Sequence, residues 1–177
     1  MNAYRCLICG EVYTGREKPS HCPFCGAKGN DLVNAAEWID ENLGIAELSD
    51  ISRRSLQTTL QLEVNNAPFY RDAMLKTKDI ELQGIFKYLS KVEAEHASVV
   101  RKILKRDIPQ PEKGKEVATD NDRENLRTAH ERERVAAALY KKFAEEAMEP
   151  RVKKVFAALS EIESDHLDLE DDLLNRK

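Results

Sequence analysis

The chain repeats itself with a step of 70 residues, and the repeated positions carry metal-binding residue types. Glu93 and His96 recur as Glu163 and His166. The same step carries Glu63 onto Glu133, Tyr70 onto Tyr140, Leu56 onto Leu126, Thr58 onto Thr128 and Leu89 onto Leu159. A chain built this way reads as one helical hairpin used twice. Together the two copies supply four carboxylates and two imidazoles. That ligand count and type suit a pair of iron or manganese ions inside a helix bundle.

The spacing makes a geometric claim. Residues three apart on a helix, such as Glu93 and His96, leave the same face about 60° apart and one turn removed. Glu63 and Tyr70, seven apart, share a face over two turns. The midpoint between Glu63 and Glu93 is Lys78, inside the turn-like Lys76-Thr77-Lys78-Asp79. Folding back there sets the two carboxylates opposite each other, each about 22 Å from the turn. The midpoint between Glu133 and Glu163 is Met148, beside Pro150. Two such hairpins packed face to face gather six ligands at one level of one core.

Four long helices are therefore predicted. The first runs from about Ser49 to Lys76, with Ser49 or Asp50 as its N-cap and Pro68 predicting a kink or local bulge. The second runs from about Asp79, whose side chain suits an N-cap, to Lys105. The run Ile108-Pro109-Gln110-Pro111-Glu112-Lys113-Gly114 breaks helical structure and forms the longest connector. Thr119 with Asp122 resembles a capping box for the third helix, which reaches Met148. Pro150 suits the first turn of the fourth, which ends near Leu174. Two short turns flanking one long connection give the ferritin-like pattern of two antiparallel pairs joined by a crossover.

All four cysteines fall in the first 25 residues, as Cys6-x2-Cys9-x12-Cys22-x2-Cys25. With no apolar export signal in Met1-Asn2-Ala3-Tyr4-Arg5-Cys6, this spacing reads as a metal site. Gly10 and Gly26 follow the second cysteine of each pair, where a residue without Cβ lets backbone amides turn back toward sulfur. From these residues alone, zinc and iron stand even. Residues 1–34 form this module, with short strands around Tyr4-Arg5 and Val12-Tyr13. It is too small for a useful core, so bound metal must supply much of its stability. Residues 35–48 read as a linker helix with Ala36, Trp38, Ile39 and Leu43 on its apolar side, ended by Gly44. Residues 49–177 form the bundle domain.

Charged residues make up 34% of the chain, with a net charge of −4 and both signs interleaved. That pattern carries no basic footprint for nucleic acid, and no apolar run approaches the roughly 18 residues of a membrane span. A soluble, cytoplasmic protein is the expectation.

Each site residue also has an ordinary reading. Glu63 lies in an apolar run, but Glu133 lies in His130-Glu131-Arg132-Glu133-Arg134, where Glu131 competes as ligand. The repeat register selects Glu133. Tyr70 and Tyr140 are buried aromatics that also reach carboxylates across the core and orient them. His130, whose repeat mate is Leu60, reads as structural or supporting. His21 reads as exposed, since four thiolates already complete a tetrahedral site.

These residues resemble the rubrerythrins. Cys6-Leu7-Ile8-Cys9-Gly10 and Cys22-Pro23-Phe24-Cys25-Gly26 look like that family's rubredoxin module, and Glu63, Glu93-Ala94-Glu95-His96, Glu133 and Glu163-Ser164-Asp165-His166 match its di-iron motif. The module stands at the N-terminus, the order of reverse rubrerythrins. One turn after the third-helix ligand, where the family often carries another carboxylate, this chain has Ala136, with Asn66 as its repeat mate. A more symmetric site is the expectation.

The resemblance implies a mostly α protein, a ferritin-like four-helix bundle with a rubredoxin-like module. It implies two irons bridged by Glu93 and Glu163 that reduce hydrogen peroxide to water. It also makes the four-cysteine metal an iron that relays single electrons from an NAD(P)H-linked reductase. Two other classes stand beside this reading, an iron-handling ferroxidase and a non-catalytic scaffold held by zinc. The linker adds only about 18 Å of reach as a helix. The module is thus expected to serve the centre of a partner chain, in a head-to-tail or helix-exchanged homodimer, unless it folds back along its own bundle.

Overall fold

Helix caps sit where short polar side chains can accept from free amide groups. In a computed structural model, which describes residues 1–115 and 117–176, four helices follow these signals: α1 (Asp50–Lys76), α2 (Ile80–Leu104), α3 (Asp122–Glu146) and α4 (Pro150–Asn175). Glu116, in the expected connector, and Lys177, the expected end of the bundle domain, lie outside the described residues. Ser49 caps α1 by accepting from the Ser52 amide. Asp79 caps α2 through the Glu81 and Leu82 amides. Lys105 closes α2 in the left-handed conformation, with φ 52° and ψ 46°. Pro150 occupies the first turn of α4, where its missing N–H costs nothing.

Two local expectations are corrected. The N-cap of α3 is Asn121, which accepts from the Glu124 amide at 3.2 Å. Thr119 instead accepts from the Asn121 amide, and its own backbone N–H donates to Asn125, so the proposed capping box folds into a turn one step upstream. At Pro68, α1 continues as α-helix with no bulge turn. Neighbouring packing holds the helix through the one lost hydrogen bond.

The hairpins α1–α2 and α3–α4 pack antiparallel, and the duplication shows in their contacts. The Ser90 hydroxyl donates to the Ala67 carbonyl at 2.8 Å, and its repeat mate Ser160 donates to the Ala137 carbonyl at 3.0 Å. Leu56, Leu89 and Leu159 are fully buried and Leu126 nearly so. One apolar cluster, with Phe69, Phe86 and Leu173, fills the end of the bundle where α1 turns into α2. The other, with Leu60, Val155 and Phe156, fills the opposite end and runs on into the cysteine module. The ligand level lies between them.

The crossover from α2 to α3 runs along the bundle and closes it within one chain. Asn65 accepts from the Glu112 amide at 2.8 Å, Arg132 donates to the Lys115 carbonyl, and Asp72 accepts from the Ala118 amide. Among the described residues, no helix is long and apolar enough to cross a membrane.

The N-terminal module is a three-stranded antiparallel sheet in the order β2-β1-β3, with β1 (Asn2–Cys6), β2 (Val12–Gly15) and β3 (Leu32–Asn34). The third strand, too short to show alternation, escapes the sequence reading. The expected linker helix does not form. Residues 35–37 and 41–44 make separate single 3₁₀ turns. Trp38, expected on an apolar helix face, instead turns back onto the module. Its indole N–H donates to the Cys6 carbonyl at 3.0 Å, and the Arg5 guanidinium lies 3.5 Å over its ring centroid. Ile39 and Leu43 are left exposed.

This change of path is the fold-back that the reach argument allowed. The chain doubles back and sets the module against its own bundle. Arg151, buried at the start of α4, donates to the Leu7 and Ile8 carbonyls at 2.7 Å each. Lys102 on α2 donates to the Cys9 carbonyl. Lys28 pairs with Glu161 at 3.0 Å, and Gly26 lies over Ile162.

Candidate metal centres

The cysteine site is assembled by two tight turns. The Gly10 amide donates to the Cys6 carbonyl and the Gly26 amide to the Cys22 carbonyl, with φ of 84° and 80° at the two glycines. Those positive angles account for glycine at both positions. The four Sγ atoms lie within 4.8 Å of one another, and two of the edges measure 3.8 Å. A tetrahedral ion with metal–sulfur bonds of about 2.3 Å has edges of about 3.8 Å. The Ile8 amide points to the Cys6 sulfur and the Glu11 amide to the Cys9 sulfur. These contacts favour thiolates. His21 stays out of the site, half exposed near Asp165 on α4.

In the bundle, the structure brings together all six residues singled out by the repeat. Glu63, Glu93, His96, Glu133 and Glu163 are fully buried and His166 is nearly so. Two clusters form, Glu63–Glu93–His96–Glu163 and Glu93–Glu133–Glu163–His166, each with ligand atoms within 4.8 Å of one another. They share Glu93 and Glu163. The Oε1 atom of Glu163 lies 3.2 Å from His96 Nδ1, and its Oε2 lies 2.8 Å from His166 Nδ1. Oε1 of Glu93 faces both imidazoles, at 3.8 and 3.7 Å. Glu131 is exposed and pairs with Arg134, so the helical register places Glu133, not its neighbour, at the core.

The inward atoms fit a metal pair by their own bonding. Glu63 Oε2, Glu93 Oε1, Glu133 Oε2, both oxygens of Glu163 and Nδ1 of both histidines are buried without a hydrogen-bond partner. Orphaned buried polar atoms are costly, and these converge on two points. Their outward atoms are satisfied. Tyr70 donates to Glu133 and Tyr140 donates to Glu63 at 2.5 Å, each tyrosine crossing from one hairpin to the other. Asn66 donates to Glu93 at 3.2 Å. Such contacts fix the orientation of a ligating carboxylate.

The charges confirm the strain of gathering these groups. Burial, then the charges of Glu133 and Glu163, push the Glu93 carboxyl well above its ordinary range. Burial and the Glu163 charge push Glu133 up to about 7. For His166, burial lowers the value, but Glu133 and Glu163 outweigh it and push the imidazole up to about 10.

Glu170 belongs to this constellation and the repeat does not reveal it, because its mate is Val100. It is fully buried, with Oε1 2.9 Å from the Tyr70 hydroxyl; that hydroxyl gives its one proton to Glu133, so Glu170 in its protonated form donates to it. The signal was present: Glu170 lies two turns beyond Glu163, the same interval that links Glu63 to Tyr70. With Glu170 on one side only, and Asn66 facing Ala136, the site is less symmetric than expected. His130 takes a peripheral place, paired with Asp171 at 3.0 Å.

Glu170 also sets a pH dependence. Burial, then the charge of Glu133, push its carboxyl up to about 9. A raised carboxyl holds its proton in the folded state after the unfolded chain has released it. Stability is therefore lost as pH rises from the ordinary carboxylate range toward 9. The Glu170→Gln variant keeps a donor to the Tyr70 oxygen, through its amide N–H, and removes this titration. Its stability relative to the parent should rise by roughly 2–3 kcal/mol between pH 4 and pH 7. Denaturant unfolding of both proteins at the two pH values checks it, and a pH-independent difference refutes it.

Comparison with known proteins agrees with this architecture. A ferritin-like domain model matches residues 52–175. The chain belongs to the ferritin-like family. Ahead of that domain, residues 4–31 match the rubredoxin-like domain of rubrerythrin, so this ferritin-like chain has the module order of the reverse rubrerythrins. Reverse rubrerythrin-1 of Clostridium acetobutylicum is 31% identical over 114 residues, which cover 59% of this chain and 62% of that protein's length. A hypothetical protein from Pyrococcus furiosus superposes with a TM-score of 0.62 over 75% of this chain and 92% of its own, at 20% identity, a likeness of fold.

Proposed function

We propose that the protein is a non-haem di-iron peroxidase that reduces hydrogen peroxide to water, supplied with electrons through a rubredoxin-like iron held by Cys6, Cys9, Cys22 and Cys25. One observation carries the reading. The Nε2 atom of His96, whose Nδ1 faces the carboxylate cluster, lies 2.9 Å from the carbonyl oxygen of Cys25. A single hydrogen bond thus joins a ligand of one centre to a ligand of the other. A ferroxidase or a zinc-stabilised scaffold has no use for that connection.

In this reading Glu63 and His96 would hold one metal and Glu133 and His166 the other, with Glu93 and Glu163, common to both clusters, available to each. When bound, the pair supplies two electrons and Lewis acidity to the O–O bond. The protein's own groups do the rest. Tyr140 and Tyr70 hold Glu63 and Glu133 in place and keep a phenolic proton beside the cluster, since burial raises both phenols well above their ordinary value. The reaction consumes two protons and two electrons per peroxide. The electron donor to the cysteine site is proposed to be an NAD(P)H-linked reductase. A cytoplasmic homodimer stays a proposal about assembly and location, checked by native mass and fractionation.

Ten ligands in these two groups should bind three iron ions per chain after reconstitution. Metal analysis, with visible spectra of the oxidised and dithionite-reduced protein, checks this. One metal per chain under those conditions removes the di-metal assignment.

A further inference from the structure

The crossover does not fill the groove it covers. Between α1, α2 and residues 108–111 lies a cleft of about 490 Å³. Ala67 and Pro68 of α1, Ala94 and Ala97 of α2, and Ile108 of the crossover make most of its wall apolar, Arg71 and Gln110 add polar groups, and the buried Glu63 lies at its floor. The cleft therefore lies at the level of the proposed metals, beside a residue that would hold one of them.

The matching groove in the other hairpin is built differently. There Ser164 stands for Ala94 and Leu167 for Ala97. The cleft along α3 and α4 is lined by Lys28, Lys141, Glu145, Glu161 and Asp165, and no metal-site carboxylate borders it. The duplicated halves have thus diverged at the surface where a substrate would arrive. Ala94 and Ala97 keep one side open where Ser164 and Leu167 stand on the other, while Ala67 and Arg71 have like mates in Ala137 and Lys141; the added charge of the second cleft comes from Lys28, Glu145, Glu161 and Asp165.

Hydrogen peroxide needs little of this space, since a water molecule's share of liquid volume is about 30 Å³. Sites for small organic molecules start near 300 Å³ and are mainly apolar with a few polar groups at one end. We propose that this cleft receives the organic body of an alkyl hydroperoxide, with its –OOH group directed past Glu63. The proposal rests on the peroxide-reducing reading and adds a substrate class to it. The step balances as ROOH + 2 e⁻ + 2 H⁺ → ROH + H₂O. The O–O bond breaks, and the electrons come from the metal pair, refilled by the reductase through the cysteine site. The protons come from solvent, and the alkyl group leaves as the alcohol.

The test uses reconstituted protein with an excess of reductant, hydrogen peroxide and cumene hydroperoxide. Both should be turned over. In the Ala94→Phe variant, which fills the cleft from an exposed position, the ratio of kcat/KM for cumene hydroperoxide to that for hydrogen peroxide should fall about tenfold or more. The Ser164→Phe variant stands equally close to a bridging carboxylate but on the other groove, and its ratio should match the parent. Equal falls in both variants would trace the effect to the ligands and overturn the cleft. Turnover of hydrogen peroxide alone overturns the cleft and spares the peroxidase reading. Turnover of neither overturns both. A second readout needs no turnover. In zinc-loaded protein labelled at alanine methyls, cumyl alcohol should shift Ala67, Ala94 and Ala97 saturably and leave Ala157 unmoved, and failure to shift them overturns the proposal.

Discussion

Replacing Glu163 with alanine should empty the bundle of metal and lower peroxide reduction by at least about a hundredfold, with the spectrum of the cysteine-bound iron unchanged. Glu163 is the largest single loss available because its two oxygens serve different neighbours, one facing His96 and the other His166. No other carboxylate lies this close to both imidazoles. Its removal also leaves two buried histidines without their nearest carboxylate, and buried charge without a partner is costly. Glu131→Ala is the matching control. That side chain is exposed on α3 and, among the described residues, its hydrogen bonds go to Arg134, so metal content and rate should match the parent. Metal analysis and stopped-flow peroxide reduction measure both variants. Two bundle metals and a parent rate in Glu163→Ala would remove the site as assigned.

Mixing a Cys9→Ser variant with a Glu163→Ala variant should restore no peroxide reduction, even when native mass shows that mixed assemblies form. Each chain would carry one damaged centre, and the route through Cys25 and His96 joins centres of the same chain. The module is held there by Arg151, whose guanidinium donates to the Leu7 and Ile8 carbonyls and to Asn42. Hydrogen bonds from a buried charged donor are worth about 1.5–3 kcal/mol each, enough to keep the module seated. In the parent protein, reoxidation of the reduced cysteine site by peroxide should then be first order and independent of protein concentration. Recovered activity in the mixture would place electron transfer between chains.

The bundle and the six buried Glu and His side chains that meet at its centre were legible because a 70-residue repeat of helical spacings leaves few alternatives. Three-residue and seven-residue steps place Glu93, His96 and their mates on one face whatever the rest of the chain does. Even the choice of Glu133 over Glu131 follows from register. The CxxC turns were legible for a similar reason, since local backbone geometry demands Gly10 and Gly26. Residues 35–48 show where such reasoning stops. Their apolar spacing suits a helix, but Trp38 gains more by stacking on Arg5 and bonding to Cys6 than by lining a helix that has nothing to pack against.

What the sequence determined by itself was the set of local, periodic features: four helices, two hairpins, six converging Glu and His side chains and four clustered cysteines. The tertiary structure alone decided how the module meets the bundle. Arg151 reaching Leu7, Lys102 reaching Cys9 and Cys25 meeting His96 join residues 144, 93 and 71 positions apart, with no period to announce them. It also decided that Glu170 would join Tyr70 at the site, and that the Pro-rich crossover would leave a cleft beside Glu63. Those outcomes depend on which surfaces meet and what space remains between them, which no spacing along a chain encodes.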